Sequence, residues 1–213
     1  MNRAPDFFDR YPQFYDTSRA GTHLQDGQTS ARLANRYRAI ITPNLALIRD
    51  ARILDIASHD GRWTLAALDA GASHVTAVEP RPELVAHVGT IIGGAGFGAD
   101  RYQSVTADIF EAFPAFTKGQ FDTIFCLGFL YHTMEHFRLM KNMIDLAPKA
   151  IILDTVALVE DAAKIILAEE NPEWEGASIA VTGNKTVALR GLPTVGYIRK
   201  VVEHLGWSGY EID

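Results

Sequence analysis

The stretch ARILDIASHDGRWTLAALDAGASHVTAVEP, residues 51–80, decides the fold class. Two short apolar runs flank an amphipathic segment from Arg62 to Ala70, which ends at Gly71. The apolar runs have the length and composition of buried parallel strands, and the segment between them has the period of a helix. Strand, helix and strand in this order predict a parallel βαβ unit.

The same alternation continues along the chain. Apolar runs predict strands at 51–57, 74–80, 102–108, 121–127 and 150–156. Amphipathic segments predict helices at 29–41, 62–70, 82–92 and 133–146. After Val156 we expect a helix to about Glu169, a hairpin near 183–184 and a last helix from Pro193 to Leu205. The fold class is therefore α/β, with a doubly wound and mostly parallel sheet.

Composition narrows the class of protein. The 213 residues are 47% apolar and 22% charged, which suits one globular domain and argues against disorder. A net charge of −6 disfavours a broad nucleic-acid footprint. The single cysteine, Cys126, excludes an internal disulfide, and the start MNRAPDFFDRYP lacks the apolar stretch of a secretory signal. With no apolar run long enough for a membrane span, we expect a cytoplasmic protein with no membrane partner.

Acidic residues follow successive predicted strands, where ligands bind in such sheets. Asp55 closes the first strand, and Glu79 ends the second strand 24 residues later. That separation is near the roughly 20 residues expected before a ribose-binding acid. The fingerprint G-x-G-x-x-G is absent, because Ala57 and His59 stand where a pyrophosphate would approach the backbone. A nucleoside ligand without phosphates fits better.

Four segments in order now resemble a known family. LDIASHDG (54–61), VEP (78–80), Asp108 with Ile109, and FDTIFCLGFLYH (121–132) together resemble the class I S-adenosylmethionine-dependent methyltransferases over about residues 50–160. The resemblance implies a Rossmann-like, seven-stranded sheet with an N-terminal helical appendage. It also implies one domain over 1–213, with a helical cap (1–50), a cofactor-binding core (51–160) and a C-terminal sheet edge and helix (161–213).

The resemblance assigns S-adenosylmethionine contacts to residues that follow the first four strands. They are Asp55, Ala57, His59, Gly61, Glu79, Pro80, Asp108, Ile109 and Leu127. The first loop would meet the methionine part, Glu79 the ribose and Asp108 the adenine. Two glycines of the usual D-x-G-x-G-x-G are replaced here by Ala57 and His59. Taken singly, Asp55 and Asp108 could be local caps and Glu79 a solvated strand end.

Catalysis of methyl transfer to a hydroxyl requires a base beside the methyl donor. His132 follows the fourth strand and is the candidate base, with Tyr131 shaping the pocket. Asp154 would orient the base or substrate hydroxyls, or it is a structural acid tied to nearby backbone. It also resembles one acid of metal-dependent O-methyltransferases, although Gly128 stands about where the other is expected.

The spacing of His132 and His136 is that of a two-histidine metal face. The third ligand is not apparent, so a divalent cation such as Mg²⁺ stays open. The N-terminal aromatic residues either form a lid or cover an apolar sheet face, and the second is favoured. They are Phe7, Phe8, Tyr11, Phe14 and Tyr15.

The acceptor of the methyl group is the least defined part of the predicted function. GFLYH and LPTVGYIRKVVEHLGW resemble the tRNA wobble-uridine carboxymethyl-transfer enzymes, whereas the small size and N-terminal helix resemble the actinobacterial sugar O-methyltransferases of methylmannose polysaccharide synthesis. The acidic balance favours a small hydroxylated acceptor, above all a carbohydrate. An RNA acceptor would use a dense group of arginines, which are Arg32, Arg36, Arg38, Arg49 and Arg52.

A third hypothesis is a cofactor-binding protein without catalysis. The apolar elements late in the chain could also form the edge of a homodimer.

Overall fold

The computed structural model describes residues 6–15, 26–172, 187–207 and 209–212. The strands are β1 (Arg52–Ile56), β2 (His74–Glu79), β3 (Tyr102–Thr106), β4 (Thr123–Leu127), β5 (Ala150–Asp154), β6 (Ile165–Glu170) and β7 (Ala188–Pro193). The α-helices are α1 (Asp26–Ile40), α2 (Leu45–Ile48), α3 (Arg62–Asp69), α4 (Pro82–Gly94), α5 (Ile109–Ala112), α6 (His136–Asp145) and α7 (Val195–His204). Short 3-10 helices cover Phe7–Arg10, Pro12–Tyr15, Phe113–Ala115 and Leu130–His132.

A parallel sheet of five strands forms the centre, in the order β3-β2-β1-β4-β5. β1 and β4 lie in the middle, and almost all of their residues are buried because helices cover both faces. This explains why their sequences are nearly continuous apolar runs. The five predicted strands and the Rossmann-like fold class are confirmed.

The C-terminal part departs from the expected seven-stranded sheet. In the described ranges, β6 and β7 form a separate antiparallel pair, in register from Ile165 opposite Pro193 to Glu170 opposite Ala188. The helix expected up to about Glu169 is wrong, because Ile165–Glu170 is a strand. A short apolar run does not distinguish helix from strand, and pairing with β7 decides the outcome. The hairpin turn expected near 183–184 lies outside the described residues.

The first helices belong to the core. Phe7, Phe8 and Phe14 are buried in the same apolar cluster as residues of β1 and α3. The Phe8 ring lies 5.5 Å from that of Trp63 and 6.1 Å from that of Tyr37. Phe7, Phe8 and Phe14 therefore cover an apolar face, which agrees with the interpretation favoured from the sequence. Within the described ranges, each helix is too short or too polar to span a bilayer.

Removing the Phe8 ring tests this packing. Phe8→Ala should lower the free energy of unfolding by about 3 to 5 kcal/mol, because a fully buried ring leaves a cavity. Phe137→Ala is the control, since Phe137 is 45% exposed, and it should change stability by under about 1 kcal/mol. The measurement is urea denaturation followed by circular dichroism. Equal effects of the two changes would show that the N-terminal segment is only loosely attached.

Candidate active site

The strand order fixes where a ligand can bind. The chain leaves β1 toward one face of the sheet and leaves β4 toward the other face. A crevice therefore opens between these two neighbouring strands at the carboxyl edge of the sheet. The residues that follow β1, β2, β3, β4 and β5 all meet at this edge, because the five strands are parallel. The predicted cofactor and catalytic residues are therefore carried by one edge.

The loop after β1 has the backbone of a glycine loop without two of its glycines. Ala57, His59 and Gly61 have φ angles of 53°, 54° and 79°. A side chain in this left-handed region costs about 1 to 2 kcal/mol per residue. A Cβ at Gly61 would also lie 3.0 Å from the Val88 side chain, so this third position requires glycine. All three glycine positions of the motif thus have left-handed backbone angles here, although only the third is a glycine.

Glu79 holds this loop against the end of β2. Its side chain is only 2% exposed, and its Oε2 accepts from the backbone N–H of His59 at 3.1 Å. Oε1 accepts from the backbone N–H of Arg81 at 3.2 Å and faces the guanidinium of the same residue at 3.3 Å. A buried carboxylate with this support is not a solvated strand end, which excludes that alternative.

Asp55 lies at the centre of the sheet, in β1. It is buried, and its carboxylate accepts a hydrogen bond of 2.6 Å from the Thr64 hydroxyl of α3. Burial raises the pKa of Asp55 to about 7, although the bond from Thr64 opposes the shift. Asp55 therefore joins β1 to the first turn of α3 through its side chain.

The other predicted cofactor residues lie at or just after the ends of β2, β3 and β4, and Asp108 has the capping role that the sequence left open as its alternative. Asp108 caps α5 by accepting from the Phe110 N–H at 2.8 Å, Ile109 is buried, and Pro80 directly follows Glu79. Leu127, the last residue of β4, is 7% exposed.

One polar atom in the first loop lacks a partner. The Ser58 hydroxyl is buried and makes no hydrogen bond to the described residues. With the left-handed loop and the Glu79 carboxylate, it fits S-adenosylmethionine, whose amine, carboxylate and ribose hydroxyls need such donors and acceptors.

Tyr131 and His132 lie together on the turn that follows β4. Their ring centres are 4.0 Å apart, and His132 Nδ1 lies 2.9 Å from Glu170 Oε2. The pKa of Tyr131 is raised mainly by burial, with Glu170 adding to the shift and Arg32, Arg36 and Arg190 opposing it. This partly exposed edge therefore carries an imidazole, a phenol and several charged side chains. Such groups can transfer a proton to or from a polar acceptor.

Asp154 ends β5 and has a partner, as its position in an apolar run requires. That partner is Arg36 of α1, whose Nη2 lies 2.5 Å from Asp154 Oδ2. The same guanidinium lies over the Trp63 ring, at 4.8 Å from its centre. The carboxylate that contacts His132 is thus Glu170, whereas Asp154 fastens α1 over the carboxyl edge.

Backbone geometry explains Gly128, which stands where a metal-binding acid was considered. Its φ is 89°, so an acidic side chain here would be strained. His136, the other half of the considered histidine pair, is fully buried and packs on Tyr197. Burial lowers its pKa. The described residues contain no group of three or more His, Cys, Asp or Glu that could hold a metal ion.

Comparison with known proteins agrees with this geometry. The profile of the family described as "Methyltransferase domain" matches residues 29–192. The chain therefore belongs to this family, and its domain is of the S-adenosylmethionine-dependent class.

The individual proteins to which the chain is similar are only distantly related to it. A tRNA U34 carboxymethyltransferase of Cellvibrio japonicus is 27% identical over 134 residues, which are 61% of this chain and 40% of that protein. The chain thus spans about two fifths of the length of the curated relative. The N-terminal domain of EvdMO1, solved in the presence of S-adenosylhomocysteine and D-fucose, has a TM-score of 0.57 at 22% identity, covering 87% of this chain and 74% of that one. The [4+2]-cyclase SpnF has a TM-score of 0.52 at 15% identity, covering 86% and 60%. These solved structures establish the fold.

Three charged side chains at this edge were not expected as site residues from the sequence. Glu170 and Arg190 lie on β6 and β7, and Arg36 lies on α1. Arg36 was noticed only as part of a basic group. Residues 165–170 do not alternate, and nothing local in the sequence indicates the partners of these charges.

Glu79 is expected to bind the ribose hydroxyls, and Glu79→Gln tests this. The neutral amide keeps the shape, but it loses the charge and places an NH₂ group opposite one of the two backbone N–H groups that the carboxylate accepts from. Affinity for S-adenosylhomocysteine should fall about tenfold to a hundredfold, the range of a hydrogen bond to a charged group. Glu83→Gln, an exposed change on α4, is the control. Unchanged affinity in titration calorimetry would place the ribose elsewhere.

Asp55 predicts a dependence of stability on pH. Its pKa is near 7 when folded and near 4 when unfolded, so the folded state holds an extra proton between these values. Its contribution therefore makes stability fall as pH rises from about 4 to 7, by on the order of 1 to 4 kcal/mol. Asp55→Asn should remove this part of the decline in urea titrations, and the exposed Asp145→Asn should not. Parallel curves for wild type and Asp55→Asn would contradict the prediction.

Proposed function

We propose that the protein is an O-methyltransferase that transfers a methyl group from S-adenosylmethionine to a hydroxyl of a small acceptor, with His132 as general base. The position of His132 carries the proposal. It ends the short 3-10 helix Leu130–His132, five residues after the end of β4, and its side chain is 11% exposed. When bound, S-adenosylmethionine would supply a methyl group on a sulfonium sulfur. The acceptor oxygen would form a bond to the methyl carbon in line as the methyl–sulfur bond breaks, with S-adenosylhomocysteine as the leaving group.

The other groups at the edge have roles that follow from their contacts. A hydroxyl must lose its proton as the new bond forms, and imidazole is the side chain best suited to accept it near neutral pH. Tyr131 packs against His132 and would border the acceptor. Asp154 is proposed to act through Arg36, by holding α1 over the crevice so that water is kept from the reacting groups.

A carbohydrate is the acceptor class that we favour. The net charge of −6 and the partners of the arginines support it. Of the five arginines considered for RNA binding, Arg36, Arg38 and Arg52 each pair with an aspartate. Such pairs cancel much of the field that a polyanion would need. EvdMO1, a fold neighbour, was solved in the presence of D-fucose, which agrees with a sugar acceptor without establishing one here.

Modification of tRNA is the second candidate function. It rests on the two curated relatives, from Cellvibrio japonicus and Alcanivorax borkumensis, that act as tRNA U34 carboxymethyltransferases and are both 27% identical to this chain. The comparisons do not support a particular relation to the mycobacterial methylmannose polysaccharide 1-O-methyltransferase, so the first proposal stops at the class of acceptor. A cofactor-binding protein without catalysis is a weaker alternative, because Ala57 and His59 have left-handed backbone angles although they replace glycines.

The experiment is methyl transfer from radiolabelled S-adenosylmethionine to a panel of sugars and oligosaccharides, with bulk tRNA as the competing acceptor. We expect label in a sugar and none in tRNA. His132→Ala should lower the rate by about two to four orders of magnitude, with the affinity for S-adenosylhomocysteine unchanged. His204→Ala, an exposed change on α7, is the control. Label in tRNA alone would select the second candidate, and full turnover by His132→Ala would remove His132 from the mechanism.

A further inference from the structure

The partner of His132 comes from outside the central sheet. Glu170 is the last residue of β6, and its side chain is 6% exposed where it meets His132 Nδ1 at 2.9 Å. It is 38 residues from His132 in the chain. The separate β6–β7 pair therefore reaches the turn that carries the proposed base.

Burial of this carboxylate is supported by a second charge. Arg190 Nη1 of β7 lies 3.3 Å from Glu170 Oε1, so the two oxygens face two different partners. In the antiparallel register, Glu170 is opposite Ala188, which puts Arg190 diagonally across on the same face of the strand pair. A buried carboxylate tolerates its charge only with such pairing. Glu170 is thus held as an ionised acceptor beside the imidazole.

An ionised carboxylate can only accept a hydrogen bond. The ring nitrogen that faces it must carry the proton, so neutral His132 is protonated at Nδ1 and its basic lone pair is on Nε2. A base with the other tautomer would present its lone pair to Glu170 and could not accept a proton from an acceptor hydroxyl on the far side.

We infer that Glu170 is a positioning residue that fixes the tautomer and orientation of His132 in methyl transfer, with Arg190 keeping Glu170 ionised. This inference rests on the proposed function of His132. It gives the β6–β7 pair a role in the reaction beyond completing the fold. A purely structural ion pair would anchor the strands without any effect on which nitrogen carries the proton.

Nitrogen-15 NMR of the histidine side chains reads the tautomer directly, without an acceptor. Wild type at pH 8 should show His132 protonated at Nδ1. Glu170→Ala should shift it toward the Nε2–H form that a free imidazole prefers, and Glu169→Ala, an exposed change on the same strand, should leave it at Nδ1. Wild-type His132 protonated at Nε2, or a tautomer unchanged in Glu170→Ala, would overturn the inference.

Kinetics provides the second readout, with S-adenosylhomocysteine affinity as the check of folding. Glu170→Ala should lower kcat for the labelled sugar acceptor at least tenfold with little change in KM, because a misoriented base affects the transition state. Glu170→Gln keeps the shape and one acceptor oxygen, so it should retain part of the rate even if Glu170→Ala folds poorly. A wild-type chain with the Nδ1–H tautomer and no transfer to any acceptor would contradict the proposed function alone. Full transfer by Glu170→Ala would contradict the inference alone.

Discussion

The bond between Glu79 and the loop after β1 is the constraint on which the site depends. Ala57 and His59 are held at φ angles that disfavour any side chain, and the His59 N–H is bonded to the Glu79 carboxylate. The loop is also tied to β2 by the Ser58 N–H, which donates to the Val78 carbonyl at 3.0 Å. The end of β2 thus imposes a backbone path that the sequence does not favour locally. Such strain persists only where the surroundings enforce it, and it concentrates at functional sites.

Charge pairs bring three parts of the chain to the edge where the acceptor is proposed to bind. Arg36 brings α1 to Asp154 at the end of β5, while Glu170 and Arg190 bring β6 and β7 to His132. The Arg36–Asp154 and Glu170–His132 contacts each join a peripheral element to the carboxyl edge of the sheet, and Arg190 supports Glu170 from β7. Some of the acidic residues therefore neutralise arginines near the crevice. Because this weakens the attraction for a polyanion, we favour a small acceptor.

The sequence predicted the central fold because its signals are local. Buried parallel strands are continuous apolar runs, and Gly71 and Pro82 mark helix boundaries, so five strands and the helices between them were found. Glu79 and Asp108 could be proposed as cofactor residues from the sequence alone, because the position of a residue after a predicted strand is read directly from the chain. β6 was mistaken for a helix because a short apolar run fits both. Glu170 and Arg36 were not identified as partners of His132 and Asp154, because contacts across 38 and 118 residues have no local signal.

A crystal structure with S-adenosylhomocysteine tests the central claim most directly, that the strained loop and Glu79 form the cofactor site beside His132. The account predicts both ribose hydroxyls within about 3 Å of the Glu79 carboxylate, the range of a hydrogen bond. It also predicts that the sulfur faces the side of the crevice that holds His132. Ribose hydroxyls bound by other residues, with the sulfur turned away from His132, would contradict it.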